Sequence, residues 1–96
     1  MKVCFKRCVR ADPVVSLRDV WLSYQLDLPF VPPVGTEVID GDWDCIVASL
    51  VYRNGQVFAF EEEDRPQSPR SDEEIEAITN ASIEEGWQRS EGVLCV

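Results

Sequence analysis

Two dipeptides, Asp40-Gly41 and Asn54-Gly55, constrain this chain more than any other feature. Asp-Gly and Asn-Gly tolerate positive φ at consecutive positions, and so specify two-residue type I′ hairpins between β-forming runs. Both lie within Pro29–Asp64, the stretch densest in β-formers. The second turn sets a register: Tyr52 opposite Val57, Val51 opposite Phe58, Leu50 opposite Ala59 and Ser49 opposite Phe60. The first places Val38 opposite Trp43. Strict alternation then groups Trp43, Cys45, Val47, Val51, Phe58 and Phe60 on one face with Val38. Ile46, Ala48, Leu50, Tyr52 and Val57 fall on the other. Both faces are apolar, so this hairpin is expected to be the middle layer of the domain, covered on both sides.

Upstream, Lys2–Arg10 alternates as a strand, with Val3, Phe5 and Val9 on one face and Lys2, Cys4, Lys6, Cys8 and Arg10 on the other. Asp12-Pro13 ends it. A second strand covers Arg18–Leu28, with Val20, Leu22, Tyr24 and Leu26 inward. Its other face is polar except for Trp21, which is either packed against a loop or the C-terminal helix, or exposed as a binding anchor. Pro29, Pro32 and Pro33 make the next connection extended and unpaired, and Gly35 turns it into the following strand.

Downstream of Asp64, residues 65–70 form a polar, proline-stiffened linker. Ser71-Asp-Glu-Glu74 is a capping box that opens a helix expected over 71–89. Ile75, Ile78, Thr79, Ser82, Ile83 and Trp87 share its inner side. Ser82 to Glu85 offers a second capping box, which would divide the helix near Asn80. Gly86 or Gly92 supplies the stop. Residues 93–96 read as a short edge strand or a segment tucked into the core.

The expected fold is therefore α+β and single-domain over residues 1–96: a small, bent antiparallel β-meander of about five strands, SH3-like in general architecture, with a C-terminal helix packed on it. The strands are expected over 2–10, 18–28, 36–39, 43–53 and 56–63. Closure of the meander would protect its edges. That architecture carries no function with it.

The 96 residues contain no histidine, which removes Ser-His and Cys-His nucleophile pairs and Cys/His zinc patterns. No Gly-rich phosphate loop is present. Asp40-Gly-Asp42-Trp-Asp44 resembles the start of a calcium loop, but the positions that need Gly and Glu hold Cys45 and Val51. Cys4 and Cys8 would lie roughly 13 Å apart on an extended strand, too far to share a zinc ion. No metal, cofactor or catalytic residue is expected, and the chain does not read as an enzyme. Lacking export and membrane-spanning signals, it reads as cytoplasmic with reduced thiols. The cations around Cys4 and Cys8 would favour thiolate if those thiols are exposed.

The net charge of −9 is unevenly distributed. Residues 1–10 carry +4, residues 11–60 carry −5, and residues 61–96 carry −8. This balance disfavours direct contact with nucleic acid or anionic membranes. Glu61, Glu62, Glu63 and Asp64 end a strand, and Asp72, Glu73, Glu74 and Glu76 begin the helix. Together they form either a solvated edge or one negative docking patch. The favoured reading is a small acidic, non-enzymatic protein-binding module, acting as adaptor, regulator or inhibitor. Trp21 and these eight carboxylates would meet another protein with a basic surface. One alternative is an acidic nucleic-acid mimic that inhibits a DNA- or RNA-handling complex, of anti-CRISPR or anti-restriction type. Another is a thiol-based redox or metal-handling role for Cys4 and Cys8. Oligomeric state is not legible.

Overall fold

A computed structural model describes residues 1–93 as a sheet-rich α+β fold. The elements are β1 (Lys2–Val9), β2 (Val20–Asp27), β3 (Glu37–Asp40), β4 (Trp43–Arg53), β5 (Gln56–Glu61), α1 (Asp72–Glu84) and β6 (Gln88–Ser90). They build one open six-stranded sheet in the order β3-β4-β5-β1-β2-β6. The expected five-stranded meander and SH3-like closure are not what forms. β1 inserts between β5 and β2 and runs parallel to β5, from Val3 opposite Val57 to Lys6 opposite Phe60. Its sequence explains the central place: Val3, Cys4 and Phe5 are all buried, so both faces of this strand need cover. The edges are protected by brevity instead of closure, because β3 has four residues and β6 has three.

The second hairpin forms as the turn dipeptide dictates. Asn54 and Gly55 have φ of 51° and 76°, the type I′ signature, and all four expected pairs are present. The first hairpin differs. Its loop is Gly41-Asp42 between the paired residues Asp40 and Trp43, so Val38 opposes Cys45 and not Trp43. Gly41 has φ of +59° while Asp42 stays at negative φ, which is the pattern of a type II′ turn with glycine leading.

A β-bulge overturns the expected grouping of side chains. The register shifts at Ala48, so that Val47 opposes Glu61 while Ser49 opposes Phe60. One extra residue reverses the alternation. Trp43, Cys45 and Val47 thereby join the layer of Val57 and Ala59, and all five are buried in one core. Val51, Phe58 and Phe60 are left on the opposite face of the sheet.

The core face is covered by α1 and by the β3–β4 hairpin. Phe5, Tyr24, Trp43 and Trp87 form its aromatic centre, with ring centroids 4.9 to 5.7 Å apart in edge-to-face and tilted contacts. Ser71 and Glu74 close the capping box in both directions. The helix is continuous through Asn80, and Ser82 does not act as a second cap. Its hydroxyl is buried and accepts from Arg7 Nη1 at 3.0 Å.

The helix is shorter than expected because the chain reverses at Gly86. There Trp87 N donates to Ser82 O at 3.1 Å and Gly86 N to Ile83 O at 3.0 Å, a Schellman stop. Gly86 has φ of +109°, and a Cβ on it would stand 2.9 Å from Tyr24 Cε2. Only glycine suits both constraints. Trp87 consequently leaves the helix and enters the core, and Gln88–Ser90 pairs with Trp21–Ser23 of β2. The edge strand expected at 93–96 lies largely outside the described residues. The 65–70 linker is docked: Arg70 N donates to Ala11 O at 2.7 Å and Arg70 Nη1 to Arg10 O at 2.9 Å.

Candidate functional site: the groove beside Trp21

β2 places Trp21 on the sheet face opposite the helix, so it does not pack against α1. Directly across the ladder it faces Cys8 of β1. One strand further, its ring meets Phe60 of β5 edge-to-face, with centroids 6.0 Å apart and planes at 89°. Phe60 reaches this face because the bulge at Ala48 leaves it there. Between them opens a groove of about 330 Å³, lined by Lys6, Cys8, Trp21, Ser49, Phe60 and Glu62, among others. Lys6 forms its buried floor, and its ammonium donates to Ser90 Oγ at 2.6 Å.

The eight carboxylates do not act alike. Glu61 turns to the helix side, where both its oxygens accept from Arg7, at 2.9 Å from Nε and 2.7 Å from Nη2. The same guanidinium lies 4.3 Å over the Trp87 ring. Glu63 stands 3.5 Å from Arg10 and 3.6 Å from Arg65, Asp64 3.5 Å from Arg70, and Asp72 3.0 Å from Arg18. Glu74 is spent on the helix cap, and the Ser71 backbone and hydroxyl hold its carboxyl below the usual range. Glu62, Glu73 and Glu76 are exposed and make no ion pair among the described residues. Arginines thus interleave the acidic segments and neutralise about half of the expected patch. One signal for this was present in the sequence. Arg7 sits at an apolar-face position of β1, where a cation needs a carboxylate partner.

Thiolate was expected only for exposed thiols, and the structure buries Cys4 and half-buries Cys8. Burial pushes the Cys8 thiol up to about 12, reinforced by the charges of Asp19 and Glu63. Its Sγ donates to Asp19 Oδ2 at 3.7 Å, and Asp19 also accepts from Ala11 N at 2.9 Å. Cys4 is fully buried, and that burial raises it against the pull of Lys6. Cys45 is pushed up to about 12, again chiefly by burial. Desolvation therefore outweighs the nearby cations at both positions. Among the described residues, no group of three or more His, Cys, Asp or Glu is placed to hold a metal ion. Among them, too, no helix is long and apolar enough to cross a membrane.

A second surface feature was not anticipated. The β1–β2 loop presents Val14 and Leu17 at 86% and 92% exposure, beside the helix N-terminus. Its base is braced by Arg18, which pairs with Asp12 at 3.3 Å and Asp72 at 3.0 Å. Turn residues Asp12-Pro13 mark this segment as a loop, but they say nothing of where its tip projects.

No protein-family model matches the chain, and no curated protein or solved structure is significantly similar to it.

Proposed function

We propose that this chain is a small, non-enzymatic protein-binding module that docks on a basic surface of another protein. The observation that carries the reading is the half-buried Trp21–Phe60 pair, lining a groove with the carboxylate of Glu62, which makes no ion pair among the described residues. Tryptophan is enriched among interface hot spots, and apolar contact flanked by charge is the usual anatomy of a specific interface. Glu73 and Glu76 extend the negative rim along the start of the helix. The charge of the chain as a whole would speed encounter with a cationic partner.

The test is affinity purification from the native cell at low and high salt, with three forms of the chain. These are the wild type, Trp21→Ala, and the triple variant Glu62→Lys, Glu73→Lys, Glu76→Lys. A basic protein retained by the wild type at low salt, weakened by high salt and lost from both variants, is the expected outcome. Identical retained proteins from all three forms would overturn the reading.

A further inference from the structure

We infer that the groove beside Trp21 is a seat for an arginine side chain of the protein partner, stacked on the Trp21 indole and paired with the Glu62 carboxylate. This rests on the docking reading above and names the chemistry that would occupy its centre.

The chain already builds this arrangement once, on the other face of the same sheet. There the Arg7 guanidinium lies 4.3 Å over the Trp87 ring, and Glu61 clasps it through both oxygens. Glu61, the last residue of β5, turns to that face, and the next residue, Glu62, lines the groove. The groove face therefore offers an aromatic ring and a carboxylate of matching kinds. Glu62 makes no ion pair among the described residues, whereas Glu61 is fully engaged.

Size and charge agree with such an occupant. A groove of about 330 Å³ sits at the small end of ligand pockets and suits one side chain better than a cofactor. Lys6 on the floor is the cation that could oppose the guest, and it donates to Ser90. The charged groups that line the groove are the carboxylates of Glu61, Glu62 and Glu63 against the one ammonium of Lys6, so a cation is the better complement. Arginine fits better than lysine. Its planar guanidinium can stack on the indole while donating two parallel hydrogen bonds to one carboxylate. An anionic or wholly apolar guest would leave Glu62 repelled or desolvated without a partner.

The test uses the full ¹⁵N-labelled chain and two defined peptides. One is acetyl-Gly-Arg-Gly-amide; the other carries citrulline in place of arginine, a neutral urea of nearly the same shape. The Trp21 indole N–H and the backbone amides of Trp21, Phe60 and Glu62 should shift saturably with the arginine peptide. The buried Trp43 and Trp87 indoles serve as internal references. The citrulline peptide should bind about fivefold more weakly. Glu62→Gln should reduce arginine binding to the citrulline level, and Trp21→Leu should remove the response. Glu62 is exposed, so its variant keeps the test meaningful even if Trp21→Leu disturbs folding. Equal binding of both peptides, or shifts centred away from the groove, would overturn the inference. If the arginine peptide leaves Trp21 unmoved while the lysine variants still lose a basic partner, the arginine seat falls and the docking reading stands.

Discussion

The hydroxyl of Tyr24 on β2 donates to Oδ2 of Asp40, at the β3–β4 turn, at 2.7 Å. These strands lie at opposite sides of the sheet, with β4, β5 and β1 between them. The contact therefore pins the folded-over hairpin across the core face, where Trp43 also meets the Tyr24 ring at 4.9 Å. An open sheet is thereby drawn into a half-closed shape by side chains, where a barrel would use backbone pairing.

Accepting by the Asp40 carboxylate raises the Tyr24 phenol above its usual value. A group raised on folding adds stability that is complete below its unfolded pKa, about 10, and lost as pH climbs through the folded value. Tyr24→Phe should thus be less stable than the wild type at pH 8, with the gap closing above pH 10. Thiols titrate in the same window in both proteins and cancel in the comparison. Parallel urea titrations at pH 8 and pH 11 measure it; a gap that is constant across pH would refute the assignment.

Gly86→Ala should cost about 1–3 kcal/mol, because it forces a Cβ into a left-handed position and toward the Tyr24 ring. Chemical denaturation gives the value directly. An unchanged midpoint would mean that the helix stop is not under this constraint.

Cys8 should resist alkylation in the folded protein. With its pKa pushed up to about 12, only about one thiol in ten thousand is ionised at pH 8. Iodoacetamide labelling followed by peptide mass spectrometry should find Cys8 slow when native and fast in urea. Asp19→Asn removes one of the charges that raise the thiol and should speed labelling. Rapid native labelling of Cys8 would restore the redox alternative.

Arg7 and Glu61 form a half-buried pair, with side chains 16% and 21% exposed. Arg7→Met strands the carboxylate and should destabilise by about 3 kcal/mol, whereas pairing it with Glu61→Gln should recover part of that loss. A double-mutant cycle with no coupling would show that the pair contributes only separate contacts.

Deleting Ala48 removes the extra residue, so Val47 adjoins Ser49 in regular alternation, opposite Glu61, and Trp43, Cys45 and Val47 keep the core face. The deletion variant should therefore still unfold cooperatively in urea. Loss of cooperative unfolding would show that the bulge itself, with the bend it gives β4, is required.

Much of the local structure was legible in the residues themselves. Asn54-Gly55 specified its turn and register because both positions need positive φ, and Ser71-Asp-Glu-Glu74 specified the helix start because backbone donors there demand acceptors. These are interactions within a few residues. The groove was half legible. Trp21 stood out on a polar face, but Phe60 could be assigned to that face only in the company of Trp43, which the bulge removes.

What remained for the tertiary structure was everything that depends on distant partners. Ala48 carries no bulge signature; the bulge satisfies Val47 and Phe60 on opposite faces at once. The parallel placement of β1 against β5 arises because a strand buried on both faces gains most from a central position. Charge follows the same division. The sequence by itself determined the acidity of the chain and its concentration after Phe60. Which carboxylates meet arginines was decided by the fold, since ion pairs such as Arg7–Glu61 join residues far apart in the chain. The thiols show the physical reason most plainly: sequence lists neighbouring charges, but burial, a property of the packed molecule alone, controls how those charges are felt.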